Sequence, residues 1–74
     1  MFEAFIKDLD FQRAKMLLNQ YNISLTDDEI RYLLPILKQN ASNLKDKQKR
    51  SALISTLPPS MQTKINQLLQ RFSL

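Results

Sequence analysis

Apolar positions along the chain recur at three- and four-residue intervals, and no stretch alternates with period two over the length of a strand. In "DFQRAKMLLNQYN", Ala14, Leu17, Leu18 and Tyr21 share one helical stripe. Asp10 is placed to cap its start, and Asn22 follows it as a residue that accepts the left-handed conformation. Ile30, Leu33, Leu34 and Leu37 repeat the pattern, and Leu53, Ile54 and Leu57 form a third run behind a second N-cap candidate, Asp46. "SMQTKINQLLQRFSL" sets Met61, Ile65, Leu68, Leu69 and Phe72 on a fourth stripe. Pro58 and Pro59 separate the last two runs, because proline ends one helix and is tolerated in the first turn of the next. The leading "FEAFIKDL" reads either as a short helix of its own or as an extension of the next. The pattern predicts an all-α fold, with residues 1–74 forming one domain built as a compact bundle of four or five short helices.

The stretch "SLTDDEIRYLLPIL" raises the question of chemistry, since Asp27, Asp28 and Glu29 stand together in a chain with seven acids. Thr26 followed three residues later by Glu29 matches a capping box, and Leu25 with Ile30 matches a hydrophobic staple. Asp27 and Asp28 then occupy the first turn, where the helix dipole favours anions. Successive helical residues point apart, so the three acids do not converge on a cation. Within the same helix Pro35 predicts a kink, or a break after Leu34. Tyr32 and Ile36 lie off the main stripe and widen the apolar arc, which fits either a central helix or a surface given to a partner.

Composition narrows the chemistry further. Seventy-four residues leave room for one small core, and 43% apolar content is that of a folded protein. Without cysteine there is no disulfide and no thiolate site; without histidine the usual general base and the commonest metal ligand are missing. Glycine is absent as well, which excludes phosphate-cradling loops, dinucleotide turns and the EF-hand turn. Accordingly no catalytic residue, metal ligand or cofactor is assigned. The start "MFEAFIKDLDF" mixes acids into its apolar residues, unlike a signal peptide, and no apolar run reaches the roughly 18–20 residues of a membrane span. The cytoplasm is the expected compartment, with no membrane partner.

Charge is unevenly divided. Residues 1–37 carry four basic and six acidic side chains, net −2, whereas residues 38–74 carry seven basic and one acidic, net +6. Lys45, Lys47, Lys49 and Arg50 fall within "KDKQKR" and form a candidate binding patch. Cations in the first turn of a helix oppose its dipole, so helix stability does not explain them. Arg50 precedes Leu53 and Ile54 by three and four residues, which predicts a stem laid along the core edge and a head paired with an acid. Basic patches bind phosphates, yet no aromatic residues interleave with this one and no recognition-helix pattern accompanies it.

"LLNQYNISLT", "EIRYLLPILK", the Asn43, Asp46 and Arg50 series with "LI" after it, and "KINQLLQRF" together resemble a family of short helical proteins from Bacillus-like Gram-positive bacteria, known as a domain of unknown function. The resemblance spans about residues 10–73 and departs at Pro35 and around "TLPPS". It implies a helical fold and the bacterial cytoplasm, and it carries over no catalytic residue, cofactor or partner. The function expected is that of a non-enzymatic protein–protein interaction module, its partner expected to be an acidic protein, with weak homodimerisation at high concentration. Lys45, Lys47, Lys49 and Arg50 are the candidate charged patch, and Tyr32 with Ile36 the candidate apolar interface. The alternative is a weak, sequence-tolerant nucleic-acid binder using residues 45–50.

Overall fold

The computed structural model describes residues 2–72, and within them five α-helices and one 3-10 turn account for the regular structure. They follow in order α1 (Phe2–Lys7), α2 (Phe11–Gln20), α3 (Asp27–Gln39), the 3-10 turn (Ala41–Lys45), α4 (Lys47–Ser55) and α5 (Pro59–Gln70). The fold is all-α, with no strand among the described residues. The leading segment is a helix of its own, separated from α2 by Asp8–Asp10.

Local chemistry explains each boundary. Asp10 Oδ1 accepts the Arg13 N–H at 2.8 Å to open α2. Its far end closes on Asn22, whose φ of 59° is the left-handed conformation a glycine would otherwise take. Asn22 N–H donates to Asn19 O at 3.2 Å and Ile23 N–H to Leu18 O at 2.9 Å, the paired bonds of a Schellman motif, and Leu18 and Ile23 are buried together. At α3 the capping box is complete: Glu29 N–H donates to Thr26 Oγ1 at 3.2 Å, and Thr26 N–H to Glu29 Oε1 at 2.8 Å. That second bond holds the Glu29 carboxyl below its ordinary range. α3 runs unbroken through Pro35, which is exposed, so the carbonyl left without a donor one turn earlier belongs to the solvent side. Asp46 caps α4 through the Gln48 and Lys49 N–H groups, and Pro59 occupies the first turn of α5.

Two groups of buried side chains make the core. The larger joins Ile6 and Leu9 to Leu33, Leu37, Leu44, Ile54, Leu57, Met61, Ile65 and Leu69. The smaller holds Ala14, Leu18, Ile23, Ile30 and Leu68, while Leu25 and Leu34 pack against both. Among the described residues α3 and α5 are the two helices that place buried residues in each group. Leu57, expected as part of the third stripe, lies beyond the end of α4 in the turn before Pro58, buried all the same. The least exposed leucine, Leu44 at 0%, sits in the 3-10 turn, against which α1 and α4 pack.

Thr26→Ala should lower stability by about 0.5–2 kcal/mol, visible as a lower melting temperature, and Asp27→Asn should cost less. Because the folded-state pKa of Glu29 is depressed, its contribution is present above the unfolded value and lost as pH falls through the folded one. The melting-temperature gap between the wild type and Glu29→Gln should therefore shrink as pH falls below the ordinary glutamate value of 4.5. A gap that stays constant as the pH falls contradicts the carboxylate cap.

Candidate functional site

The three acids at the start of α3 are engaged separately. Glu29 belongs to the cap, Asp27 lies 3.3 Å from Lys15 Nζ on α2, and Asp28 lies 3.8 Å from Arg31. Among the described residues no three histidine, cysteine or carboxylate side chains come together as a metal-sized group.

The basic patch divides into two parts. Lys45, Lys47 and Lys49 are exposed, and among the described residues no carboxylate comes within ion-pair distance of them. The acid between them, Asp46, is itself exposed and caps α4, its Oδ1 accepting the Gln48 N–H at 3.0 Å and the Lys49 N–H at 3.1 Å. Arg50 lies along the core edge, as its spacing predicts, but its Nη1 donates to the backbone carbonyl of Leu44 at 2.9 Å rather than to an acid. The acceptor is an orphan carbonyl at the end of the 3-10 turn, on the buried Leu44, so the guanidinium pins that turn to α4. Lys47 and Arg50 also border a polar groove between α4 and α5, facing Gln62 and Asn66.

Tyr32 and Ile36 occupy the same side of α3 without sharing an environment. Tyr32 is 49% exposed, whereas Ile36 is half-buried and packs against the larger core group. Of the pair, Tyr32 is the side chain offered to solvent.

A third surface lies between α1 and α2. Among the described residues the exposed large apolar side chains are Phe5 at 40%, Met16 at 69% and Tyr32, and two of those three line one groove of about 280 Å³. Leu9 and Leu17 form its floor, and Asp8, Arg13 and Gln20 complete its lining. Its origin is the division of the core. α1 is anchored in the larger group through Ile6 and rests on α3 and the 3-10 turn, whereas α2 is anchored in the smaller group through Ala14 and Leu18. The two helices border a groove that neither group fills. Phe5 is steadied from one side by Phe72, ring centroids 5.6 Å apart, and Phe72 also meets Phe2 edge-on at 5.3 Å. Phe5 stands out in the sequence as an apolar residue off the main stripes. Met16 does not, and the signal for it is its place one position outside the α2 stripe.

A partly open apolar crevice of about 30 Å³, sharing Leu9 and Leu17 with this groove, has only apolar residues around it, room for about one water and no polar partner to hold it. No described helix is long and apolar enough to cross a membrane. No protein-family model, curated protein or solved structure matches the chain.

The division of the basic patch has a measurable consequence. Arg50→Ala strips the Leu44 carbonyl of its donor and should cost about 1–3 kcal/mol in urea unfolding, the range for an acceptor left unsatisfied. Arg50→Lys should recover part of this, because a single bond to a carbonyl does not require the guanidinium fork. Lys47→Ala and Lys49→Ala should change stability by less than about 0.5 kcal/mol. Equal losses at all three positions contradict a structural role confined to Arg50.

Proposed function

We propose that the protein is a non-enzymatic protein–protein interaction module of the bacterial cytoplasm, working through the apolar groove between α1 and α2. The observation that carries this reading is the convergence of Phe5 and Met16 on one groove, where scattered apolar residues would be unremarkable. The groove has the make-up of a binding surface, an aromatic ring and a flexible, polarisable thioether over a leucine floor, with a charged rim. A non-enzymatic role is supported by how the carboxylates at the start of α3 are used, since each is committed to a cap or an ion pair. The bacterial and cytoplasmic setting rests on the resemblance of "LLNQYNISLT" and "KINQLLQRF" to the Gram-positive helical family.

A second reading rests on Lys45, Lys47 and Lys49, three exposed cations within five residues and without carboxylate partners among the described residues. As the edge of a protein interface they would speed encounter with an acidic partner more than they would hold it. As a phosphate-binding strip they would make the protein a weak, sequence-tolerant nucleic-acid binder, with log K falling against log salt at a slope of about −2 to −3 for three contacts.

Photo-crosslinking separates these readings. A crosslinker at position 16 should give discrete protein adducts in bacterial cells, lost with Phe5→Ser, and one at the exposed control position Thr63 should give none. Micromolar binding to DNA or RNA at about 0.15 M salt, abolished by Lys47→Ala with Lys49→Ala, would overturn the groove reading in favour of the strip.

A further inference from the structure

The groove reading leaves its occupant open, and the charges around the groove bear on that choice. Its lining contains one acid, Asp8 just past the end of α1, and one base, Arg13 in the first turn of α2; the other residues, Phe5, Leu9, Met16, Leu17 and Gln20, are uncharged. Asp8 and Arg13 are both exposed, and neither belongs to an ion pair among the described residues. Asp10 beside them accepts the Arg13 backbone N–H through one carboxylate oxygen, and no ion pair joins it to the Arg13 guanidinium among the described residues.

We propose that the groove, if it serves as the interaction surface argued above, takes a second copy of this chain about a two-fold axis, with Asp8 of each protomer against Arg13 of the other. Three considerations select this occupant. An isologous interface must contain its own complement, and a surface bearing one acid just past the end of α1 and one base in the first turn of α2 does so. An acidic partner would satisfy Arg13 and leave Asp8 opposed by like charge, and a basic partner would do the reverse; a second copy satisfies both. The molecule as a whole carries +4, which opposes self-association, but the groove is built from the half of the chain whose net charge is −2. Joining copies through α1 and α2 brings together the segments that repel least. The same two-fold sets Met16 of each copy toward the groove of the other, where its thioether meets Phe5 and the leucine floor.

The experiment is a reciprocal charge reversal on the full chain, followed by sedimentation equilibrium. Asp8→Arg places Arg against Arg at both contacts, and Arg13→Asp places Asp against Asp; each alone should weaken dimerisation at least about tenfold, as juxtaposed like charges do. Mixing the two variants restores an Asp–Arg pair at each contact, so the mixture should form a heterodimer of near wild-type affinity. The double variant Asp8→Arg/Arg13→Asp should form a homodimer of similar strength. Both positions are exposed, and each reversal suits its helix dipole, so all variants should keep the wild-type helical circular dichroism. A wild type that stays monomeric at millimolar concentration, or a mixture no more associated than either variant alone, would overturn the two-fold. A monomer that still gives cross-links from position 16 to other proteins would overturn the second copy while leaving the interaction reading intact. Loss of every cross-link, to self or to other proteins, would overturn both.

Discussion

The rest of the structure depends on apolar burial along α3 and α5, the helices that place side chains in both core groups. A chain of this length has no disulfide to supplement its core. Ile30 and Leu68 face one group, and Leu33, Leu37, Ile65 and Leu69 the other, so neither group closes without the same two helices. The remaining elements close one side each: α1, the 3-10 turn and α4 close the larger group, and α2 the smaller. That division of labour produces the surface as well as the core. Where α1 and α2 border the groove they are governed by different groups, and the leftover apolar side chains, Phe5 and Met16, line it.

What was legible in the sequence was what local chemistry decides. Thr26 with Glu29, Asp10, Asp46 and Asn22 each solve a backbone hydrogen-bonding problem within five residues of themselves, so their residue types suffice to place helix ends. Without glycine, the one described residue at positive φ is an asparagine, as the pattern implies. Less legible was the segment between α3 and α4. Five residues of 3-10 turn have no periodicity to read, and the burial of Ala41 and Leu44 is imposed by α1 and α4 from outside.

The candidate surfaces follow the same rule. Spacing placed Arg50 beside the core, because three- and four-residue intervals define a helix face. It could not name the acceptor, since a backbone carbonyl carries no mark in the sequence. Tyr32 and Ile36 are adjacent on α3 but diverge, and which one turns inward depends on the elements packed around α3. Met16 escaped notice for the converse reason. One residue outside a stripe looks incidental until the neighbouring helix supplies Phe5 across the groove. The lysines and the groove also lie in opposite halves of the charge distribution.

Methyl NMR of methionine-labelled protein tests the central claim, that two copies of this molecule associate through the groove between α1 and α2. Met16 lies in the groove and Met61 in the larger core group, so one sample carries both the probe and its internal control. On dilution from millimolar to micromolar concentration the Met16 methyl resonance should move along a monomer–dimer isotherm while Met61 stays still. A Met16 resonance that ignores dilution, or a shift shared equally by both methyls, would contradict it.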